Sequence, residues 1–192
     1  MAEIRPFQAW QYDLDKVGPL ENVIAPPYDV IDDALSDQLY AKSPYNVIRL
    51  ILDKTQPTDN EFDNRYTRST QFLKDWMKSG VLHQQPEDAI YIYFQTFDWE
   101  GKSFTRRGFM SRVRLEKFGE GKIYPHEQTL SGPKADRLKL FHATGMNLSQ
   151  IFGLFPDEMN EVACKLEGAI QGKTPIEAVD HLNVKHQLWV VT

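Results

Sequence analysis

Apolar positions recur along this chain with two periods, and the switches between them divide it into alternating extended and helical segments. EIRPFQAW reads as a short opening strand, and Pro6, with no N–H to give a ladder, confines it to an edge or a strand start. The two prolines of VIAPPYDVI then force a rigid, extended loop that holds Asp29 at a fixed place. Asp32 and Asp33 can cap a helix carrying Leu35, Leu39 and Tyr40 on one side and ending near Ser43-Pro44. NVIRLIL has the β-branched richness of a buried strand, with Arg49 conspicuous in its middle. From about Glu61 to Ser79, Phe62, Tyr66, Leu73, Trp76 and Met77 fall at helical spacing, and Gly80 ends the helix.

The middle of the chain alternates with period two. AIYIYFQTFDW and KSFTRRGFMSRVRLE flank Glu100-Gly101, a hairpin signal, with Ile90, Ile92 and Phe94 on one face of the first strand and Tyr91, Tyr93 and Gln95 on the other. The returning strand is basic, and its arginines are expected to pair with acidic residues on neighbouring strands. Gly132-Pro133 opens another helix, with Pro133 expected at its first position. LSQIFGLF reads as an apolar strand, DEMNEVACKLEGAI as a helix, and IEAVDHLNVKHQLWVVT as a final β ribbon. Strands and helices in this irregular order predict an α+β fold with a mixed, largely antiparallel sheet and packed helices, over one domain spanning 1–192. The terminal strand is apolar on both faces, so it is expected inside the sheet or in a contact with a second copy or with a missing half, and its abrupt stop suggests a fragment or a short version of something longer.

Composition adds constraints. The content is 41% hydrophobic and 26% charged, no run reaches the roughly 20 apolar residues of a membrane span, and the N-terminus lacks a signal-peptide layout, so a cytoplasmic protein without membrane association is expected. Cys164 is the only cysteine, which excludes an internal disulfide. A net charge of −5 argues against nucleic acid as a partner. Five widely spaced histidines, with no HxxxH or CxxC pair, argue against zinc, and neither GxGxxG nor GxxxxGK[ST] is present.

Chemistry-bearing residues concentrate between Lys122 and Asn147, in KIYPHEQTLSGPKADRLKLFHATGMN. The start of the Gly-Pro helix should attract an anion, because free N–H groups and the positive dipole end face one point, with Lys134 and Arg137 three residues apart beside it. A phosphate is the natural occupant. The plain alternative is a capped surface helix with solvated charges.

IRPFQAW, VIAPPYDVI, NVIRLIL, PHEQTLSGPKADRLKLFHAT and HQLWVV, in this order, resemble successive blocks of the domain-of-unknown-function 1015 family (DUF1015). Members of that family are usually about twice as long, with a second half resembling the ParB and sulfiredoxin-like group, so the resemblance implies the N-terminal part of a longer family protein. No stretch of this chain corresponds to the Gly-His-His-Arg motif of that ParB-like half. The family blocks fall on Pro26 to Asp29, on Asn46 and Arg49, and on His126, Glu127, Thr129, Gly132, Pro133, Lys134, Asp136 and Arg137.

Their chemistry suggests roles. Gly132, Thr129, Lys134, Arg137 and Arg49 would hold a phosphate, Glu127 and Asp29 would hold Mg²⁺ accompanying a nucleotide, and His126, Glu127 and Asp29 would serve catalysis. Each also has a plain structural use: a backbone hydrogen bond for His126, an ion pair for Glu127, a turn cap for Asp29. Two functional readings stay open. One is the phosphate- or nucleotide-binding half of a nucleotide-dependent phosphotransferase acting on a small metabolite. The other is a non-catalytic regulatory module sensing a phosphorylated ligand.

Overall fold

A computed structural model describes residues 2–125, 128 and 130–192. In chain order its elements are β1 (Ile4–Arg5), β2 (Trp10–Tyr12), α1 (Leu14–Val17), α2 (Asp33–Lys42), α3 (Ile48–Ile51) and α4 (Arg65–Lys78). There follow β3 (Leu82–Gln84), β4 (Ile90–Trp99), β5 (Lys102–Met110), β6 (Arg112–Val113), α5 (Ser131–Thr144), α6 (Glu161–Ile170), β7 (Ile176–Val179) and β8 (Lys185–Val191). All strand pairings within the longest sheet are antiparallel, and helices and sheets mix irregularly: the fold is α+β. The contacts divide the chain into two compact units, Met1–Gln11 with Gln84–His126 and Gly153–Thr192, and Tyr12–His83 with Glu127–Phe152. Among the described residues no helix is long and apolar enough to cross a membrane.

The first unit is built on a four-stranded sheet in the order β5-β4-β8-β7. Glu100 and Gly101 both take positive φ, 50° and 73°, the two-residue turn that matches the twist of the β4–β5 hairpin. Period two then assigns the faces. Ile92, Phe94 and Trp189 are buried on one side, with Ile90 and Val191, under Leu166, Ala169 and Ile170 of α6. The basic segment finds acidic partners, but not within neighbouring strands as expected: Arg107 meets Glu167 of α6 at 3.2 Å, Arg112 meets Asp88 of the loop before β4 at 3.6 Å, and Arg114 meets Glu3, just before β1, at 3.1 Å. β8 lies between β4 and β7, so the terminal strand is inside the sheet, and β7, the first strand of the ribbon, forms its edge.

The second unit packs helices around Val17, Val23, Leu50, Ile51, Leu73, Trp76, Val81 and Leu82. The rings of Tyr12, Tyr45 and Phe72 lie 6.0, 5.9 and 6.3 Å from that of Trp76. Asp32 caps α2 through Leu35 N–H, and Asn64 opens α4 in a reciprocal box with Thr67.

Three expectations are corrected. NVIRLIL is not a strand; residues 48–51 form α3, because Asn46 Oδ1 accepts the Ile48 N–H and Ser69 Oγ donates to the Arg49 carbonyl, so both ends of the turn are satisfied in the core. Phe62 precedes α4 and is 86% exposed, outside the aromatic stripe. LSQIFGLF forms no strand, and Ile151 and Leu154 are exposed.

Candidate functional site

The site expectations centre on α5 and its surroundings in the second unit. Its first turn begins one residue before Gly132, so Pro133 occupies the third helical position rather than the first. Leu130 stands at the N-cap and has no side-chain oxygen with which to cap. Among the described residues, the N–H groups of Ser131 and Gly132 find no acceptor, and the Lys134 N–H reaches the Leu130 carbonyl at 3.2 Å. Gly132 is exposed with open space around it, since a Cβ placed there would meet nothing within 4 Å. Lys134 is exposed as well. This end of α5 therefore offers donors and one exposed cation to solvent.

One turn further along, α5 is fastened to the rest of the unit. Asp136 accepts from the Tyr66 hydroxyl at 2.7 Å and from Arg65, and it also pairs with Arg137, whose Nε lies 3.0 Å from Oδ2. Arg137 Nη1 donates to the Ile51 carbonyl at 2.7 Å, and its guanidinium lies 4.0 Å from the centroid of the Tyr28 ring. Burial pushes the Asp136 carboxyl up, but the bonds from Tyr66 and Arg137 and the nearby arginine charges outweigh it and hold it below the usual carboxylate value. Beside this cluster, Asp53, Arg65, Tyr66, Ser69 and Arg137 line a cavity of about 10 Å³, room for one water rather than a ligand.

The rigid loop and α5 thus meet through Tyr28 and Arg137, while the other expected residues part ways. Arg49 donates to the Ser43 and Tyr40 carbonyls at 2.7 and 3.0 Å and lies 4.3 Å from the Tyr40 ring centroid, so its fork closes the end of α2. Asp29 is exposed in the short turn Tyr28–Val30, with no hydrogen-bond partner among the described residues. His126, Glu127 and Thr129 lie outside the described residues.

The family model for DUF1015, described as a protein of unknown function, matches residues 4–192. The chain belongs to the DUF1015 family. No curated protein and no solved structure matches it.

In this DUF1015 chain, no group of three or more His, Cys, Asp or Glu side chains among the described residues could hold a metal ion. The Mg²⁺ expectation therefore rests on Asp29 together with Glu127. The residues that fasten α5 were only half legible. Tyr28 and Asp136 stand inside the PPYD and KADR blocks, whereas Arg65 and Tyr66 sit in an unremarkable helical stripe, and only the packing of α4 on α5 brings them to Asp136.

Proposed function

We propose that this DUF1015 chain binds the phosphate of a nucleotide or other phosphorylated small molecule at the start of α5, as the binding half of a cytoplasmic, nucleotide-dependent phosphotransferase-like enzyme. The observation that carries the reading is the uncapped, open N-terminus of α5 with Lys134 exposed beside it. The Arg137 cluster supports it indirectly, because a helix fastened one turn away presents its donors already oriented. In this reading His126 moves a proton near neutral pH, Thr129 adds a hydroxyl contact, and Glu127 with Asp29 supplies oxygens for Mg²⁺. When bound, that ion would offset the charge of the phosphates. Arg137 and Arg49 position the loop and helix rather than reaching the anion.

That assignment favours a second reading, a ligand-sensing module without turnover. Two of the cations expected on the phosphate are committed to internal carbonyls, rings and Asp136, which suits recognition more than stabilisation of a transferring group.

Calorimetric titration of the 192-residue protein with ATP, CTP and inorganic phosphate, with and without Mg²⁺, tests the binding. Saturable binding weakened severalfold or more by Lys134→Ala supports it, and binding unaffected by that change refutes the α5 site. Turnover of ATP or CTP that Glu127→Gln abolishes selects the enzyme; binding without turnover selects the sensor.

A further inference from the structure

The first unit contains a second concave surface, remote in chemistry from α5. The face of the sheet opposite the α6 core carries Gln95 and Phe97 from β4, Arg106 and Phe104 from β5 and His186 from β8, as the cross-strand partners Gln95↔Arg106, Phe97↔Phe104 and Gln95↔His186 require. Phe97 and Phe104 stack with centroids 6.1 Å apart. The Arg106 guanidinium lies 5.8 Å from the Phe97 centroid, and its Nη1 is 3.4 Å from Gln95 Oε1. Between this row and the tip of the β7–β8 hairpin lies a groove of about 460 Å³ lined by Gln95, Phe97, Asp98, Arg106, Leu182, Asn183 and Val184.

The hairpin wall is held in place by a chain of polar side chains. Asp180 Oδ1 accepts the Leu182 and Val184 N–H groups at 2.8 and 2.9 Å, and Asn183 completes the turn with φ 59°. Asp180 Oδ2 lies 3.1 Å from His186 Nε2, and His186 Nδ1 lies 2.5 Å from the Tyr93 hydroxyl. With Nε2–H directed at the carboxylate, Nδ1 is left to accept from Tyr93. The hairpin is thereby tied to β4 on the same face that carries the groove. A cross-strand aromatic pair near a hairpin tip is explained by sheet stability alone. An open groove that gathers an arginine, two amides and an aromatic plane exceeds that need, and its volume falls in the range of small-molecule sites, roughly 300–1,000 Å³.

We infer that this groove binds a planar heteroaromatic ring bearing an anionic group, of which a nucleoside monophosphate is the representative. The Phe97 ring and Leu182 offer the ring an apolar surface. Gln95 and Asn183 carry amides that can meet its edge, and the Arg106 guanidinium, while it keeps its contacts with Gln95 and Phe97, brings a positive charge to the anion. The inference does not rest on the α5 reading, because none of its residues belongs to that unit.

Titration of the 192-residue protein with AMP, CMP, adenosine and inorganic phosphate tests it, using Phe97→Ala, Arg106→Gln and Lys134→Ala, each checked by circular dichroism. Removing a stacking ring costs about tenfold in affinity. We expect AMP or CMP to bind about tenfold more weakly to Phe97→Ala and to Arg106→Gln, and adenosine to depend on Phe97 but not on Arg106. Nucleotide binding untouched by both groove variants, or no binding of nucleotide or nucleoside at millimolar concentration, overturns the inference. Loss confined to Lys134→Ala overturns it while supporting the α5 site, so the two readings fail separately.

Discussion

The guanidinium of Arg137 lies 4.0 Å from the centroid of the Tyr28 ring while its Nη1 donates to the Ile51 carbonyl at 2.7 Å. One side chain thereby joins the Pro-rich loop, the end of α3 and the second turn of α5. Its side chain is only 20% exposed, so these contacts are largely shielded from water.

Changing Arg137 to Ala should therefore destabilise the protein by about 2 kcal/mol, through an unsatisfied Ile51 carbonyl and an under-paired Asp136. Lys134→Ala, on an exposed side chain without a partner among the described residues, should leave the unfolding free energy within about 0.5 kcal/mol of the parent. Equilibrium urea unfolding of the two variants checks the contrast. Equal midpoints would mean that Arg137 does not fasten α5 to the loop.

Asp136 makes the same cluster sensitive to acid. Its folded carboxyl titrates below the ordinary value of about 3.9, so ionisation favours the folded state. That contribution is complete above the unfolded value and is lost as pH falls through the folded one. Asp136→Asn should lower stability near neutral pH by about 2 kcal/mol and flatten the fall in stability below about pH 4. Urea midpoints of parent and variant between pH 3 and 7 should converge at the acid end; parallel curves would mean that Asp136 titrates alike in both states.

Where the sequence pattern succeeded, a local cause was written into it. Glu100-Gly101 could accept positive φ, Asp32 could cap, and alternation along β4 placed Ile92 and Phe94 on the core side. NVIRLIL failed because a short apolar run has no period of its own; Asn46 and the distant Ser69 decided for a helical turn. In the candidate site, the helix start and its lysine were legible from Gly132-Pro133-Lys134. The use of Arg137 and Arg49 was not, since an arginine reads alike in sequence whether its fork faces a phosphate or the carbonyls of its own fold.

Asn46 gives a sharper test of that hidden contribution. It is fully buried, donates from Nδ2 to the Asn22 and Ile24 carbonyls at 2.8 and 3.1 Å, and accepts the Ile48 N–H at Oδ1. Asn46→Ala should cost about 3 kcal/mol by stranding these groups. Asn46→Asp should cost more, because a carboxylate would face two carbonyl oxygens without water. Thermal unfolding should rank Asp below Ala below parent. A reversed order would show that water reaches this position.

The C-terminal ribbon supplies the last test. β8 has β4 on one side and β7 on the other, so both of its backbone edges are filled within the sheet. Its Trp189 is 8% exposed, meets the Phe94 ring edge-on at 5.2 Å and donates from Nε1 to the Lys173 carbonyl at 3.1 Å. Trp189→Ala should cost about 3 kcal/mol, and Trp189→Phe about 1 kcal/mol for the lost hydrogen bond alone. Ending the chain at Lys173 removes β7 and β8 together and uncovers one edge of β4 along with the Ile92 and Phe94 core. Such an edge pairs with whatever strand it meets. Light scattering should therefore show the shortened chain associating, and its unfolding should lose cooperativity. If it stayed as monodisperse and as stable as the 192-residue protein, β8 would be an ornament on the sheet, and the burial of Trp189 would contribute nothing to folding.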